Sequence, residues 1–127
     1  SMAKIISLAM IMVVITGVFY SAQKNPQAHP ETVAEAIFEA ARSGDCKNLA
    51  ALIDTDADSD AKMIAQAVSD KNTRKSFVKY FAKGKVNGKP VVSDDKALVN
   101  ILFGPDGTDE ETFEMVRKDG KWYLYSF

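Results

Sequence analysis

Few side chains in this sequence could carry acid–base chemistry. His29 is the sole histidine, and no neighbour in the sequence could orient its imidazole, so we interpret it as a solvent-exposed or helix-capping residue. The strongest polar pair is Glu114 opposite Tyr125 across a predicted hairpin, where a carboxylate beside a phenol could act as base and hydrogen-bond donor. A cross-strand hydrogen bond on a solvent or dimer face explains the same pair, and we favour it. We therefore assign no catalytic residue.

Metal-binding patterns are incomplete. Four aspartates alternate as in a calcium loop: Asp54, Asp56, Asp58 and Asp60. Ser59 stands where that loop needs glycine for its sharp turn, and Ala65 stands where a bidentate glutamate would close the coordination sphere. Cys46 is the only cysteine, so no intrachain disulfide or zinc cluster is expected. We predict that the aspartates cap helices, and we expect neither a metal nor a cofactor.

A row of lysines repeats every four residues in the segment before Gly84. The row consists of Lys71, Lys75, Lys79 and Lys83. An amphipathic helix with such a row could lie on anionic lipid headgroups. A solvated helix face has the same pattern, and we favour that interpretation.

Length and composition indicate one globular domain with an N-terminal extension. The chain has 127 residues, of which 46% are hydrophobic and 26% are charged, as in ordinary globular proteins. A formal net charge of −1 gives no electrostatic case for binding nucleic acid. We divide the chain into a signal peptide or membrane anchor (1–24), a polar linker (25–29) and an α+β domain (30–127).

The N-terminal extension is apolar enough to meet a membrane. Residues 5–22 carry no charge and would span about 27 Å as a helix, close to the thickness of a bilayer core. A secretory signal peptide and an uncleaved membrane anchor both remain open, because Phe19 and Tyr20 suit a cleavage site poorly. A buried core helix is the third alternative. With Lys4 kept cytoplasmic, the remainder is expected to be extracytoplasmic: periplasmic, secreted or membrane-anchored.

Helical periodicity fills the first half of the domain. Pro30 favours the first turn of a helix and Gly44 favours its end. The buried stripe of this helix is predicted to be Val33, Ala34, Ile37, Phe38 and Ala41. A shorter helix capped by Asp45 is predicted to run through Ile53, with Leu49, Leu52 and Ile53 facing inward. Two more helices are defined by their apolar positions: Met63, Ile64, Ala67 and Val68 in the third, and Phe77, Tyr80 and Phe81 in the fourth, which starts at Asn72.

Alternating patterns follow, and they predict an antiparallel meander. Val86–Val92 is a weak edge strand, Ala97–Phe103 is a strong strand, and the dipeptide Asp119-Gly120 predicts a closing hairpin. A two-residue turn would pair Lys118 with Lys121, Arg117 with Trp122, Val116 with Tyr123, Met115 with Leu124 and Glu114 with Tyr125. Helices followed by a meander indicate an α+β fold, with the helices on one side of the sheet.

Both faces of the predicted hairpin are apolar, so each needs a cover. One face carries Phe113, Met115, Arg117, Trp122 and Leu124. The other carries Glu114, Val116, Tyr123, Tyr125 and Phe127. Arg117 beside Trp122 predicts a cation–π contact that stabilises the hairpin.

Four segments carry a resemblance to a known family. They are Pro30-Glu31, Phe38-Glu39-Ala40-Ala41-Arg42-Ser43-Gly44-Asp45, Lys96-Ala97-Leu98-Val99-Asn100-Ile101 and Lys118-Asp119-Gly120-Lys121-Trp122-Tyr123. Over nearly all of residues 28–127 the chain resembles the nuclear transport factor 2-like superfamily, and more narrowly its lumazine-binding-like bacterial exported domains. Many of those relatives carry a lipidated cysteine near the mature start. This chain has none there, and a helical anchor could substitute for it.

The resemblance implies a fold and a general kind of function. The implied fold is a cystatin-like cone, in which a curved antiparallel sheet wraps around a helix and often holds a small apolar ligand at its mouth. The implied assembly is a homodimer through the outer sheet face, and residues 5–22 would add a membrane contact if they are uncleaved. The expected cone residues are Phe38, Phe77, Phe81, Phe103, Trp122, Glu114 and Tyr125.

These expectations favour a non-enzymatic exported or membrane-tethered domain that binds a small apolar ligand or a protein partner. Two alternatives remain open. A cone-site isomerase or dehydratase-like enzyme would need an inward-facing acid with a perturbed pKa. A dimerisation scaffold would have its cone filled by its own large side chains.

Overall fold

The computed structural model describes residues 25–127; the predicted signal peptide or anchor in 1–24 lies outside the described residues. Within 25–127, none of the helices has both the length and the apolar character that crossing a membrane requires. The helices are α1 (Pro30–Ser43), α2 (Ser59–Gln66) and α3 (Lys71–Phe81). The strands are β1 (Lys85–Val86), β2 (Val91–Ser93), β3 (Lys96–Phe103), β4 (Asp109–Lys118) and β5 (Lys121–Ser126).

Helix α1 begins and ends where the sequence predicts. Pro30 occupies the first turn, and Gly44 adopts a left-handed conformation with φ of 76° while its N–H donates to the Ala40 carbonyl. Glycine adopts that conformation at no steric cost, which is why it commonly follows the last helical residue. The predicted stripe is buried as a whole: Val33, Ala34, Ile37, Phe38 and Ala41. This face contacts the sheet and α3, so α1 is the central helix of the core.

The predicted second helix is wrong in type. Residues Leu49–Leu52 form a single 3₁₀ turn, and the Asp45 carboxylate accepts only a long 3.4 Å hydrogen bond from the Lys47 N–H. Four residues are too few to repay the nucleation of an α-helix. The side chains predicted to face inward are nevertheless buried: Leu49, Leu52 and Ile53. The turn therefore contributes packing without a full helix.

Aspartates cap the other two helices, but of the four in the acidic loop only Asp58 is a cap, so the prediction is wrong for Asp54, Asp56 and Asp60. The Asp58 carboxylate accepts the Ala61 N–H at 2.9 Å at the start of α2. The Asp70 carboxylate accepts the Asn72 N–H at 3.0 Å and the Thr73 hydroxyl at 2.8 Å at the start of α3. These bonds, that of the Thr73 hydroxyl foremost, lower the pKa of Asp70, because they stabilise its charged form.

Arg74 connects α3 to the end of α2. Its guanidinium donates to the Ala67 carbonyl and to the Val68 carbonyl, both at 2.8 Å. The last carbonyls of a helix lack partners within the helix, and a cation at that end also complements the helix dipole. Arg74 therefore joins the first turn of α3 to the end of α2.

The strands form one antiparallel sheet in the order β1-β3-β4-β5, with β2 pairing further along the same side of β3. The predicted weak strand is thus two short edge pieces, separated by Asn87-Gly88 and Pro90. The three helices pack on one face of this curved, open sheet. The predicted α+β class and its cone-like arrangement are confirmed.

The closing hairpin has the predicted turn and most of the predicted register. Asp119 and Gly120 both have positive φ, 52° and 77°, as a type I′ turn requires. Four predicted pairs are confirmed: Lys118 with Lys121, Arg117 with Trp122, Val116 with Tyr123 and Met115 with Leu124. Arg117 lies over the Trp122 ring at 5.1 Å, which confirms the predicted cation–π contact.

The fifth predicted pair is wrong because the sheet contains a bulge. The register shifts between Glu114 and Met115, so Glu114 pairs with Ser126 and not with Tyr125. A bulge inserts one extra residue into a strand and reverses the faces of all residues beyond it. Phe127, predicted on the outer face, consequently packs on the inner side at 5.3 Å from Phe113, measured between ring centroids.

The free edge of β5 is covered by earlier parts of the chain. The Asp54 N–H donates to the Leu124 carbonyl at 2.9 Å and the Asp58 N–H donates to the Tyr125 carbonyl at 3.0 Å. The Gln27 side-chain amide donates to the Trp122 carbonyl at 3.1 Å. Residues 25–29 were predicted to be a linker, but Pro26–Ala28 form a 3₁₀ turn that Gln27 attaches to the sheet.

One buried charge joins the acidic loop to the hairpin. Asp54 is only 4% exposed, and its carboxylate lies 2.8 Å from the Lys118 ammonium and accepts the Asp56 N–H at 3.1 Å. Asp56 lies 3.5 Å from the same ammonium but is exposed. The hydrogen bond that the Lys118 ammonium donates to the Asp54 carboxylate is the largest influence on the pKa of Lys118, and it raises this pKa. A buried carboxylate with these partners fixes the loop that precedes α2.

Candidate functional site

The interior of the cone is filled by aromatic side chains. Phe81 is at the centre of this cluster, with ring centroids 5.2 Å from Phe77, 5.5 Å from Phe103, 5.8 Å from Phe127, 6.2 Å from Phe38 and 6.4 Å from Phe113. Stacked and edge-to-face rings at these separations attract one another beyond the effect of area burial. The space that a deep ligand would occupy is therefore taken by the protein's own rings.

A pocket of about 490 Å³ opens at the end of the sheet where β3 ends and β4 begins. We call it the mouth pocket; it is lined by Asp60, Met63, Ile64, Thr73, Ser76, Phe77, Tyr80, Phe81, Phe103, Glu111 and Phe127. Helices α2 and α3 form its walls, and the sheet end and the aromatic cluster form its floor. This volume lies within the range of small-molecule sites in proteins.

The backbone holds the rim of the mouth pocket in place. The Gly104 N–H donates to the Tyr80 carbonyl at 2.7 Å, which joins the end of α3 to the β3–β4 loop. The Thr73 hydroxyl is already used in the Asp70 cap, and Glu111 accepts the Thr112 N–H at 3.0 Å. The Tyr80 side chain is 44% exposed. The pocket thus combines an apolar floor with a polar, solvent-facing rim.

The seven predicted cone residues separate into three groups. Phe77, Phe81 and Phe103 line the mouth pocket. Phe38 packs beneath them against Phe81, and Trp122 is buried at the hairpin end beside Arg117. Trp122 and Phe38 are core residues, outside the pocket lining.

Glu114 and Tyr125 do not line the cone. The neighbours of Glu114 on β4, Phe113 and Met115, are fully buried on the inner face, so Glu114 faces outward. Its carboxylate accepts the Ser126 hydroxyl at 3.1 Å, the cross-strand hydrogen bond predicted for Glu114, but with a different partner. The bulge that separates Glu114 from Tyr125 removes the predicted carboxylate–phenol pair.

Several lining residues were not predicted as site residues: Asp60, Met63, Ile64, Thr73, Ser76, Tyr80, Glu111 and Phe127. The α3 members Thr73, Ser76, Phe77 and Tyr80 recur at spacings of three and four, which marks one helix face. That spacing was a usable signal. Phe127 lies on the pocket side of the sheet because the bulge reverses the faces of the last residues. Glu111 lies there because the register between β3 and β4 pairs it with Ile101.

Three features singled out in the sequence do not contribute to the mouth pocket: the lysine row, Cys46 and His29. The predicted lysine row is exposed, and none of its members lines the pocket. Cys46 is buried, and this burial is the main cause that raises the pKa of its thiol. His29 precedes α1 and makes no side-chain cap there. Within 25–127 no group of acidic, histidine or cysteine side chains is arranged to hold a metal ion.

The outer face of the sheet carries an apolar patch. Val91 pairs with Leu98, and Val116 pairs with Tyr123 and with Lys96. Val91 is 65% exposed and Leu98 is 49% exposed, whereas Val116 and Tyr123 are half-buried. We call Val91, Leu98, Val116 and Tyr123 the outer patch.

Comparison with known proteins gives a similarity in structure. No family model and no curated protein matches the sequence. A crystal structure of a nuclear transport factor 2-like protein of Campylobacter jejuni, described as a proposed transpeptidase, aligns with 78% of this chain and 98% of its own. The two are 23% identical, with a TM-score of 0.47. In its own geometry the described part of this chain has three helices on one face of a curved, open antiparallel sheet.

Proposed function

We propose that the domain binds a small apolar ligand in the mouth pocket and catalyses no reaction on it. The observation that supports this proposal is the pocket itself, about 490 Å³ with a floor of phenylalanine rings. Such a floor supplies apolar area that becomes buried when a ligand enters, and burial contributes roughly 25 cal/mol per Å². The filled interior beneath it limits the ligand to a small molecule.

The polar groups of the pocket suit binding better than catalysis. Asp60 and Glu111 are the acids in the lining, and both are exposed to solvent. A general base is usually placed where water is excluded and its pKa can be tuned. An isomerase or dehydratase-like enzyme would need a base and a hydrogen-bond donor in the pocket. Glu114 and Tyr125, the pair considered for those roles, lie outside the pocket.

We also propose that the domain lies outside the cytoplasm. The support for this proposal is the uncharged stretch 5–22 after Lys4, which suits a signal peptide or a membrane anchor. The domain would then meet its ligand in an extracytoplasmic compartment, free or tethered.

Filling the mouth pocket should abolish ligand binding. Ser76 is exposed and lines the pocket, so the Ser76→Trp side chain can occupy it without disturbing the aromatic cluster. We expect at least about a tenfold weaker affinity for the neutral fluorescent probe phenylnaphthylamine, measured by titration of the full chain. A tenfold loss corresponds to about 1.4 kcal/mol.

The matched control is Lys75→Trp, on the same helix but outside the mouth pocket. It adds the same indole to the protein and should leave the affinity for the probe unchanged. If the wild-type chain does not bind the probe, or if the Ser76→Trp variant binds it as well as wild type does, the proposal is wrong.

The outer patch supports a second proposal, a homodimer that pairs this face with its copy. Exposed apolar side chains such as Val91 and Leu98 on the outer face of a sheet are typical of protein interfaces. We expect Leu98→Glu to convert the dimer to a monomer in sedimentation equilibrium, because it would bury an unpaired charge in the interface. The control is Lys75→Glu, on the far side of α3. A wild-type chain that is monomeric at high micromolar concentration would contradict the dimer.

A further inference from the structure

The ionisable side chains that line the mouth pocket favour one sign of charge. They are two carboxylates, Asp60 from the first turn of α2 and Glu111 from β4, together with the phenol of Tyr80. No lysine, arginine or histidine is among the lining residues that the structure describes. The two carboxylates belong to different elements and line the same opening, so both would attract a cation at its rim.

No lysine or arginine of α3 lines this opening. The pocket-lining positions of the helix are Thr73, Ser76, Phe77, Tyr80 and Phe81. Lys71 and Lys75 are exposed and line a different, shallow groove on the other side of the helix. Lys79 lies 5.7 Å from the centre of the Tyr80 ring and outside the pocket lining. Residues four apart in a helix lie on one face, so Lys71, Lys75 and Lys79 form a basic face that is distinct from the pocket-lining face.

We propose that the mouth pocket selects a hydrophobic cation, a small organic molecule with an apolar body and an ammonium group. This inference rests on the proposed ligand-binding function and adds the charge of the ligand to it. The apolar body lies on the floor of Phe77, Phe103 and Phe127, and the ammonium group lies at the rim between Asp60 and Glu111. Aromatic rings contribute to the same preference, because their faces attract cations.

The exposed position of Asp60 and Glu111 at the rim determines how strongly the pocket prefers a cationic ligand. Both carboxylates are exposed, so neither loses much hydration when the ligand binds, and each interaction is screened by water and salt. Selection by charge should therefore be moderate, whereas affinity comes mainly from the apolar floor. An anionic ligand of the same shape would meet two like charges and bind more weakly.

Three probes with one carbon skeleton test the proposal on the full chain: phenylbutylammonium, phenylbutanol and phenylbutanoate. Isothermal titration should show the ammonium binding about four- to twenty-fivefold more tightly than the alcohol, since each of the two exposed ion pairs contributes about two- to fivefold. The carboxylate should bind more weakly than the alcohol. The double variant Asp60→Asn/Glu111→Gln should bring the affinities for the ammonium and the alcohol to the same value.

The matched control is Asp106→Asn/Glu110→Gln, which removes the same total charge from two exposed residues outside the mouth pocket. It should keep the order of the three affinities. If the three probes bind equally and Ser76→Trp abolishes all three, the cation preference is overturned while the ligand-binding function stands. If no probe binds to the wild-type chain, the ligand-binding function itself is overturned.

Discussion

Replacing Phe81 by alanine is expected to lower the free energy of unfolding by about 3–5 kcal/mol. Phe81 contacts five other phenylalanine rings, so the variant loses both the burial of one ring and the support of the others. The rings come from α1, α3, both long strands and the chain end, and they cannot all move to close the cavity. Urea denaturation followed by circular dichroism measures the loss.

The neighbouring residue Tyr80 provides the control. Tyr80→Ala removes a comparable ring from the same helix turn, but Tyr80 is 44% exposed whereas Phe81 is buried. The hydrogen bond from the Gly104 N–H uses the Tyr80 backbone carbonyl, which remains in the variant. We expect a loss below about 1 kcal/mol. Similar losses for the two variants would show that the aromatic cluster is not the centre of the core.

Removing the buried carboxylate of Asp54 is expected to have the second largest effect, a loss of about 2–3 kcal/mol for Asp54→Ala. Hydrogen bonds to charged groups contribute about 1.5–3 kcal/mol, and the variant also leaves the Asp56 N–H without its acceptor. Lys118 is half-exposed and regains water, which limits the loss. The control Asp56→Ala removes an 80% exposed carboxylate from the same ammonium and should change the stability by less than about 0.5 kcal/mol.

The pH dependence of stability provides an independent measurement of the same ion pair. The pKa of Lys118 is raised in the folded state, chiefly by its hydrogen bond with Asp54. The folded protein therefore holds this proton more tightly than the unfolded chain does. The stabilisation is complete below the unfolded pKa of about 10.4 and is lost as the pH rises through the folded value. Wild type should lose more stability than Lys118→Met between about pH 8 and pH 11; equal losses would contradict the assignment.

Local signals in the sequence were sufficient for the elements whose geometry is local. Asp119-Gly120 predicts the hairpin because few other dipeptides adopt two successive positive φ values. Pro30 and Gly44 mark the ends of α1 because each is favoured by the backbone conformation found there. The burial of Val33, Ile37 and their neighbours follows from the helical period alone.

The parts that the sequence did not predict depend on interactions between distant segments. The bulge beside Glu114 is one example. Beyond it, the Tyr125 carbonyl accepts the Asp58 N–H and Phe127 packs inward. No residue pattern within the strand predicts either contact. The mouth pocket is another, because Asp60 and Glu111 are fifty-one residues apart in the sequence and line one pocket only once α2 packs beside the sheet. A residue-by-residue pattern does not encode such a distance.

The hydrogen bond from Gln27 to Trp122 places residue 27 at the hairpin end of the domain. Trp122 pairs with Arg117 at the turn of the hairpin, and Glu111 of the mouth pocket lies six residues earlier on β4, roughly 20 Å away at about 3.3 Å per residue. An anchor upstream of residue 25 would therefore hold the domain by the end remote from its opening. Molecules would then be sampled from the bulk fluid and not taken up directly from the lipid leaflet.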